Sequence, residues 1–185
     1  MTVKELIDEY RIVEDYRYNK ETGKNYTGNL SIGNVSKAKK DNVLSELKEK
    51  KQEILEYLKE ERKEKEKERD ERKKKIDSIS GLKEIISAKE DLANWNAEFA
   101  KSFDDVGGLG VRPKPDYDFE AMYKKYPVAE AYLKAEEMML KENDELSAIG
   151  KKAMDKIINN PEGYKEAIEE MEKGKSEFAD KHIWD

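Results

Sequence analysis

The sequence predicts an all-α protein that has room for one small β-hairpin near the N-terminus. Apolar residues recur at helical spacing through most of the chain, although 43% of all residues are charged. Residues 59–75 are all charged and include no Gly or Pro, which favours a solvated helix. Glycine and asparagine concentrate in residues 19–35. We therefore expect a long charged helix (59–75) that joins a small N-terminal element (1–58) to a C-terminal helical bundle (76–185).

The N-terminal element begins with a helix signal. Thr2 opens a T-x-x-E capping box, and apolar residues then follow at helical spacing as far as Tyr10. This helix is expected to be short, with an end that frays into residues 11–18. Residues 19–35 predict either a loop or a small hairpin that turns at residues 20–23.

The long helix is predicted to start at Ser36 as N-cap and to run to Asp77. Over these 42 positions it would be about 63 Å long. Glu–Lys and Glu–Arg pairs at helical spacing, such as Glu61–Lys65, support the charged stretch by about 0.2–0.5 kcal/mol each. We interpret residues 59–75 as a spacer, with a helix that follows a nucleic-acid backbone as the alternative. Residues 78–81 (Ser-Ile-Ser-Gly) favour a break or bend, with one continuous helix through Gly81 as the alternative.

The C-terminal part is predicted to contain further helices. The first spans 82–103 and places Trp95, Phe99 and Phe103 in a core against the helices of 128–183. A Gly/Pro linker at 104–118 and a short helix at 119–126 follow. From Pro127, a heptad-like apolar stripe with Glu142 in it predicts one long helix, and Asn160-Pro161 predicts the cap of the last. The stripe is formed by Val128, Tyr132, Ala135, Met139, Leu146, Ile149 and Ala153.

Charge is distributed unevenly and limits the choice of partner. Residues 59–75 carry 10 basic and 7 acidic side chains, whereas residues 76–185 carry 16 basic and 25 acidic ones. The acidic part disfavours binding to duplex DNA and favours a basic partner, such as the nucleic-acid channel of another protein. No signal peptide and no apolar membrane-spanning segment are recognisable. We expect a protein of the bacterial host cytoplasm that has no membrane partner.

Catalytic and metal-binding motifs are not found in the sequence. There is no cysteine, and His182 is the one histidine, so thiol chemistry and thiolate sites are excluded. The glycines of 107–110 neither follow a strand nor match a phosphate-binding motif, and they are interpreted as linker. We expect no enzyme activity, no catalytic residue, no metal site and no cofactor.

The best candidate site lies in residues 10–40, where tyrosines alternate with basic side chains. Such a mixture is suited to a protein interface or to single-stranded nucleic acid. Alternatively, the tyrosines cover a small helical core. The candidate contact residues are Tyr10, Arg11, Tyr16, Arg17, Tyr18, Lys20, Lys24 and Tyr26.

Residues 126–139 (YPVAEAYLKAEEMM), 147–172 and the ending HIWD (182–185) resemble small accessory proteins of phages and mobile elements of low-GC Gram-positive bacteria. Anti-CRISPR proteins and other inhibitors of host defence are among these. The resemblance covers roughly residues 120–185 and carries no functional residue across. It implies a non-enzymatic protein that binds and blocks a larger nucleoprotein, such as a CRISPR effector. Two alternatives remain: a self-associating coiled-coil scaffold, and a direct binder of single-stranded nucleic acid or RNA through residues 10–40.

Overall fold

The computed structural model describes residues 1–20, 23–106 and 112–182, with side chains omitted for 103–106. Helices account for 73% of the chain, and the one sheet in the described part is a two-stranded antiparallel hairpin, so the all-α class with a small hairpin is confirmed. The chain divides into two compact units, Met1–Asp70 and Glu71–Asp185. We call them the N-terminal unit and the C-terminal unit.

The N-terminal unit starts with helix α1, Val3–Tyr10. Thr2 and Glu5 form the predicted capping box, and the hydrogen bonds from Thr2 lower the pKa of Glu5. Arg11 ends α1 in the left-handed conformation, at φ 51°. Residues 11–18 are therefore not a frayed helix end, because strand β1 (Ile12–Asn19) begins directly after this cap. Its partner β2 is Gly23–Ile32.

The helix predicted from Ser36 to Asp77 is in fact three helices. They are α2 (Val35–Lys40), α3 (Leu44–Glu49) and α4 (Lys51–Asp77). Asn42 adopts φ 58°, and the Val43 N–H donates to the Ala38 carbonyl, which is the hydrogen bond of a helix C-terminal cap. Ser36 lies inside α2, and Asn34 is the N-cap.

The apolar side chains of α1, the hairpin and α2–α4 form one core in this unit. It consists of Leu6, Ile7, Tyr10, Ile12, Ala38, Leu47 and Ile54, all buried. Leu30 and Ile32 of β2 pack against it.

In its described residues, the C-terminal unit contains the end of α4 and five further α-helices. As predicted, the chain breaks at Ser78–Gly81, where Gly81 has φ +75° and lies against the Tyr126 ring. A Cβ atom on Gly81 would lie 2.1 Å from that ring, so both the backbone and the packing require glycine. The helices are α5 (Leu82–Val106), α6 (Phe119–Lys125), α7 (Pro127–Met139), α8 (Asp144–Asn159) and α9 (Tyr164–Lys181).

The predicted long helix from Pro127 is a pair of helices. Asn143 accepts hydrogen bonds from the N–H groups of Glu145 and Leu146, which starts α8 and leaves Glu142 in the turn. Gly150 lets the two helices approach closely, since a Cβ atom there would lie 2.2 Å from the Met139 nitrogen. The predicted cap at Asn160 is also corrected. Pro161–Gly163 is a 3₁₀ turn without a side-chain cap, and α9 starts after it.

The core of the C-terminal unit lies between α5, α7, α8 and α9. Its most deeply buried residues include Ile85, Ala129, Ala135 and Ile157. Trp95 and Phe99 are not part of it, contrary to the prediction. They stack on each other along α5 with ring centroids 4.9 Å apart, and Phe99 is 37% exposed. The Phe103 side chain and the glycines of 107–110 lie outside the described residues.

The charged run within α4 is not a uniformly solvated spacer. Residues 63–71 are all exposed, but Arg62 and Arg72 on either side are half-buried. Arg62 forms an ion pair with Glu14 in the N-terminal unit. Arg72 forms one with Asp155 of α8 in the C-terminal unit. Each end of the run therefore packs on its own unit.

Candidate functional site: the aromatic face of the hairpin

The hairpin places four of the eight candidate residues on one face. The register pairs Tyr16 with Tyr26 and Tyr18 with Lys24, and directly opposed residues of an antiparallel pair share a face. The rings of Tyr16 and Tyr26 lie 6.0 Å apart, and the Lys24 ammonium lies 4.3 Å from the centre of the Tyr16 ring. We call Tyr16, Tyr18, Lys24 and Tyr26 the tyrosine face.

The tyrosine face is accessible to solvent. Tyr16 is 50% exposed, Tyr18 is 72% exposed and Tyr26 is 44% exposed. Large aromatic side chains at such exposure are typical of contact surfaces, since they bury a large area at little cost in side-chain entropy.

A β-bulge separates the tyrosine face from the part of the hairpin that packs on the core. The register shifts between Glu14 and Tyr16, and Gly28 on the opposite strand has φ +73°. The Gly28 N–H donates to Glu14 Oε1 at 3.0 Å. Because a bulge bends a strand and increases its twist, it changes the direction in which the following side chains point.

Arg62 of α4 extends this face and was missed by the sequence analysis. Its guanidinium carbon lies 3.5 Å from the centre of the Tyr26 ring, and the same group forms the ion pair with Glu14. Glu14 is nearly buried on the hairpin, with 9% of its side chain exposed. The sequence could not distinguish Arg62 from its charged neighbours, because the contact depends on the packing of α4 on the hairpin.

The other four candidates lie elsewhere. Tyr10 is 2% exposed and donates a hydrogen bond from its hydroxyl to Asp41 Oδ2 at 3.1 Å. Burial, and then this bond, raise the pKa of Tyr10. Tyr10 is thus a core residue, and its assignment to a partner contact was wrong.

Arg11, Arg17 and Lys20 are exposed but do not join the tyrosine face. Arg11 caps α1, and its carbonyl accepts a hydrogen bond from the Gly33 N–H. Arg17 pairs with Asn25 in the register, so it lies on the opposite face of the hairpin. Lys20 follows the end of β1.

The acidic residues and His182, which were considered as metal-binding or catalytic groups, form no metal-binding cluster in the described residues. No group of three or more His, Asp or Glu side chains that could hold a metal ion occurs in residues 1–20, 23–106 and 112–182. The His182 ring lies 4.4 Å from the Phe178 ring, so it packs on the last helix. No helix in the described part of the chain is long and apolar enough to cross a membrane.

The chain was compared with protein families, curated proteins and solved structures. Neither a family model, a curated protein nor a solved structure matches the chain.

Proposed function

We propose that this protein acts by stoichiometric, non-enzymatic binding to a partner protein, and that the tyrosine face is part of the contact. The observation that supports this most directly is the cluster of three exposed tyrosines on one face of the hairpin. Lys24 and Arg62 lie against two of the rings, so the surface presents aromatic and cationic groups together. Tyrosine and arginine are enriched among the residues that dominate binding energy at protein interfaces.

The proposed partner is a defence nuclease of a bacterial host, such as a CRISPR effector. The resemblance of residues 120–185 to accessory proteins of mobile elements supports this choice. The net negative charge of residues 76–185 supports it as well, because an acidic surface is complementary to a nucleic-acid channel lined with basic residues.

A titration of purified RNA-guided nucleases from low-GC Gram-positive bacteria tests the proposal. Cleavage of a labelled DNA target should fall as the protein is added and should stop at a fixed molar ratio. The double variant Y16T/Y18T should weaken inhibition about tenfold or more without a change in the circular dichroism spectrum, since truncation of a hot-spot residue costs about 2 kcal/mol or more.

The matched control is Tyr57→Gln, which removes an exposed tyrosine of the same unit that lies on α4. It should inhibit like the wild type. If no nuclease of the panel is inhibited, the choice of partner is wrong. If one molecule inactivates many nuclease molecules, the protein is an enzyme and the stoichiometric mechanism fails.

Single-stranded nucleic acid is the second candidate partner. Exposed tyrosine rings with basic groups beside them also suit base stacking combined with phosphate contacts. A fluorescence titration with an oligonucleotide at several salt concentrations separates the two, because phosphate contacts make affinity fall steeply with salt.

A coiled-coil scaffold has less structural support. Tyr132, Ala135 and Ala153 of the heptad-like stripe are buried inside the C-terminal unit, and Met139, Leu146 and Ile149 pack against the same core. The stripe is thus occupied within one chain. Sedimentation at increasing concentration tests self-association through any other surface.

A further inference from the structure

A groove of about 270 Å³ opens on the N-terminal unit between the hairpin and helix α3. Most of its wall is apolar, and Asn29, Lys48 and Lys51 also line it. Ile12, Leu30 and Ile32 of the hairpin face Leu44 and Leu47 of α3 across it. Ile12 and Leu47 are buried, whereas Leu30, Ile32 and Leu44 are partly exposed in the groove. The groove therefore offers apolar contact area that the core of the unit leaves uncovered.

Strand β2 forms one side of this groove and has a free edge. The hairpin is a two-stranded sheet, and in the described residues β2 pairs with β1 alone. An unpaired strand edge presents backbone N–H and carbonyl groups, and it can take up a further strand from another chain. Peptide-binding domains use this mode with an adjacent pocket, in which the backbone supplies affinity and the pocket selects side chains.

Two lysines at the groove favour a ligand that carries negative charge. Lys48 of α3 and Lys51 at the start of α4 line it and are exposed. In the described part of the chain neither lies within ion-pair distance of a carboxylate, whereas the neighbouring Lys50 pairs with Glu46. Unpaired cations beside an apolar groove are complementary to a segment that carries acidic residues next to apolar ones.

We infer that this groove binds one extended, acidic segment of a partner protein by strand addition to β2. An apolar side chain of the segment enters between Leu30, Ile32 and Leu44, and a carboxylate lies beside Lys48 or Lys51. The inference rests on the proposed function in that it describes the chemistry of the partner, but its site is separate from the tyrosine face.

The test uses the full-length, ¹⁵N-labelled protein and a defined probe. The probe is an end-capped nine-residue peptide of alternating valine and threonine with leucine at its centre and a glutamate near each end. We expect its amide chemical-shift changes to concentrate in residues 29–32 of β2 and in α3. The double variant K48E/K51E should weaken binding about tenfold or more, because two attractive charge contacts become repulsive.

Two controls make the result specific. The double variant K39E/K40E reverses two exposed lysines of α2 that do not line the groove, and it should bind the probe like the wild type. In a second peptide, lysine replaces both glutamates. Compared with the first peptide, it should bind the wild type more weakly and the K48E/K51E variant more strongly. Equal binding of both peptides to both proteins would overturn the inference, as would shift changes confined to the tyrosine face or no binding at millimolar peptide.

Self-association and the inhibition assay provide two further tests of the groove. If sedimentation without peptide shows a dimer whose formation shifts the β2 amides, the occupant of the groove is a second copy of the chain and the inference fails. The Tyr18→Thr variant should bind the probe normally. Inhibition of a nuclease without probe binding would reject the groove alone, and probe binding without inhibition of any nuclease would reject the proposed function alone.

Discussion

The guanidinium carbon of Arg62 lies 3.5 Å from the centre of the Tyr26 ring, so one side chain of α4 covers a tyrosine of the hairpin. The same guanidinium pairs with Glu14, of which 9% is exposed. Cation–π contacts contribute about 0.5–2 kcal/mol and hydrogen bonds to charged groups about 1.5–3 kcal/mol. This residue therefore links the charged helix to the tyrosine face.

We expect Arg62→Gln to destabilise the protein by about 1–3 kcal/mol, because it removes both contacts and leaves the Glu14 carboxylate without its cation. Urea denaturation followed by tyrosine fluorescence measures this. Arg69→Gln is the matched control, since Arg69 is exposed on the same helix, and it should change stability by less than about 0.5 kcal/mol. Equal effects of the two substitutions would show that the contacts of Arg62 contribute nothing.

Two helical glycines, Gly150 and Gly174, should differ in how substitution by alanine changes the stability of the protein. A Cβ atom on Gly150 would lie 2.2 Å from the Met139 nitrogen, so Gly150→Ala must push α7 and α8 apart and should cost about 1–3 kcal/mol. On Gly174 of α9 the nearest atom would be the end of the Ile149 side chain at 3.2 Å, which can move. Gly174→Ala should leave stability unchanged or raise it by up to about 1 kcal/mol, because alanine favours helix.

Thermal denaturation of the two glycine variants checks this pair. A stable Gly150→Ala variant would mean that the two helices do not pack as closely as described.

The core and surface of the C-terminal unit should differ clearly in their sensitivity to truncation. Ile157 is fully buried, and Ile157→Ala should cost about 2–5 kcal/mol through lost contacts and the cavity it leaves. Leu140 is 73% exposed in the turn before α8, and Leu140→Ala should have little effect. Denaturant midpoints of both variants measure the contrast, and a large loss for Leu140→Ala would indicate that this side chain is covered.

Asp91 of α5 gives a pH-dependent prediction. Arg112 donates to Asp91 Oδ1 at 2.7 Å and Tyr117 donates to Oδ2 at 2.8 Å, and these bonds hold the pKa of Asp91 below its ordinary value of 3.8. The unfolded chain thus takes up this proton first as the pH falls. The contribution of Asp91 to stability is complete above pH 3.8 and is lost as the pH falls through the lower folded pKa.

A carboxyl-detected NMR titration should give Asp91 a midpoint below 3.8. Arg112→Gln should move this midpoint upward, but not fully to 3.8, since the bond from Tyr117 remains. A midpoint unaffected by Arg112→Gln would contradict the assigned cause.

Much of the fold could be predicted from local signals. The capping box at Thr2 and Glu5, the break at Gly81 and the helix start at Pro127 each depend on neighbouring residues alone, and each is observed. The break at Asn42 was missed because apolar spacing continues on both sides of it. The turn before α8 was missed for the same reason, although Asn143 followed by Asp144 and Glu145 is a recognisable start signal.

The candidate site could be predicted in part. Alternation of tyrosine and basic residues identified Tyr16, Tyr18, Lys24 and Tyr26, which the strand register then brings to one face. The same pattern could not separate them from buried Tyr10, since burial depends on tertiary packing. For the same reason it could not find Arg62, which is distant in sequence.

The separation of Glu14 and Arg62 by 48 positions has a consequence for synthesis on the ribosome. The last hairpin residue, Ile32, is translated thirty residues before Arg62, and at 5–20 residues per second this delay is about 2–6 s. During that time the hairpin has left the peptidyl-transferase centre, but the helix that covers Glu14 and Tyr26 has not yet been made. The Glu14–Arg62 ion pair can therefore form only after residues 15–61 have been synthesised, so the charged helix docks on a hairpin that was made before it.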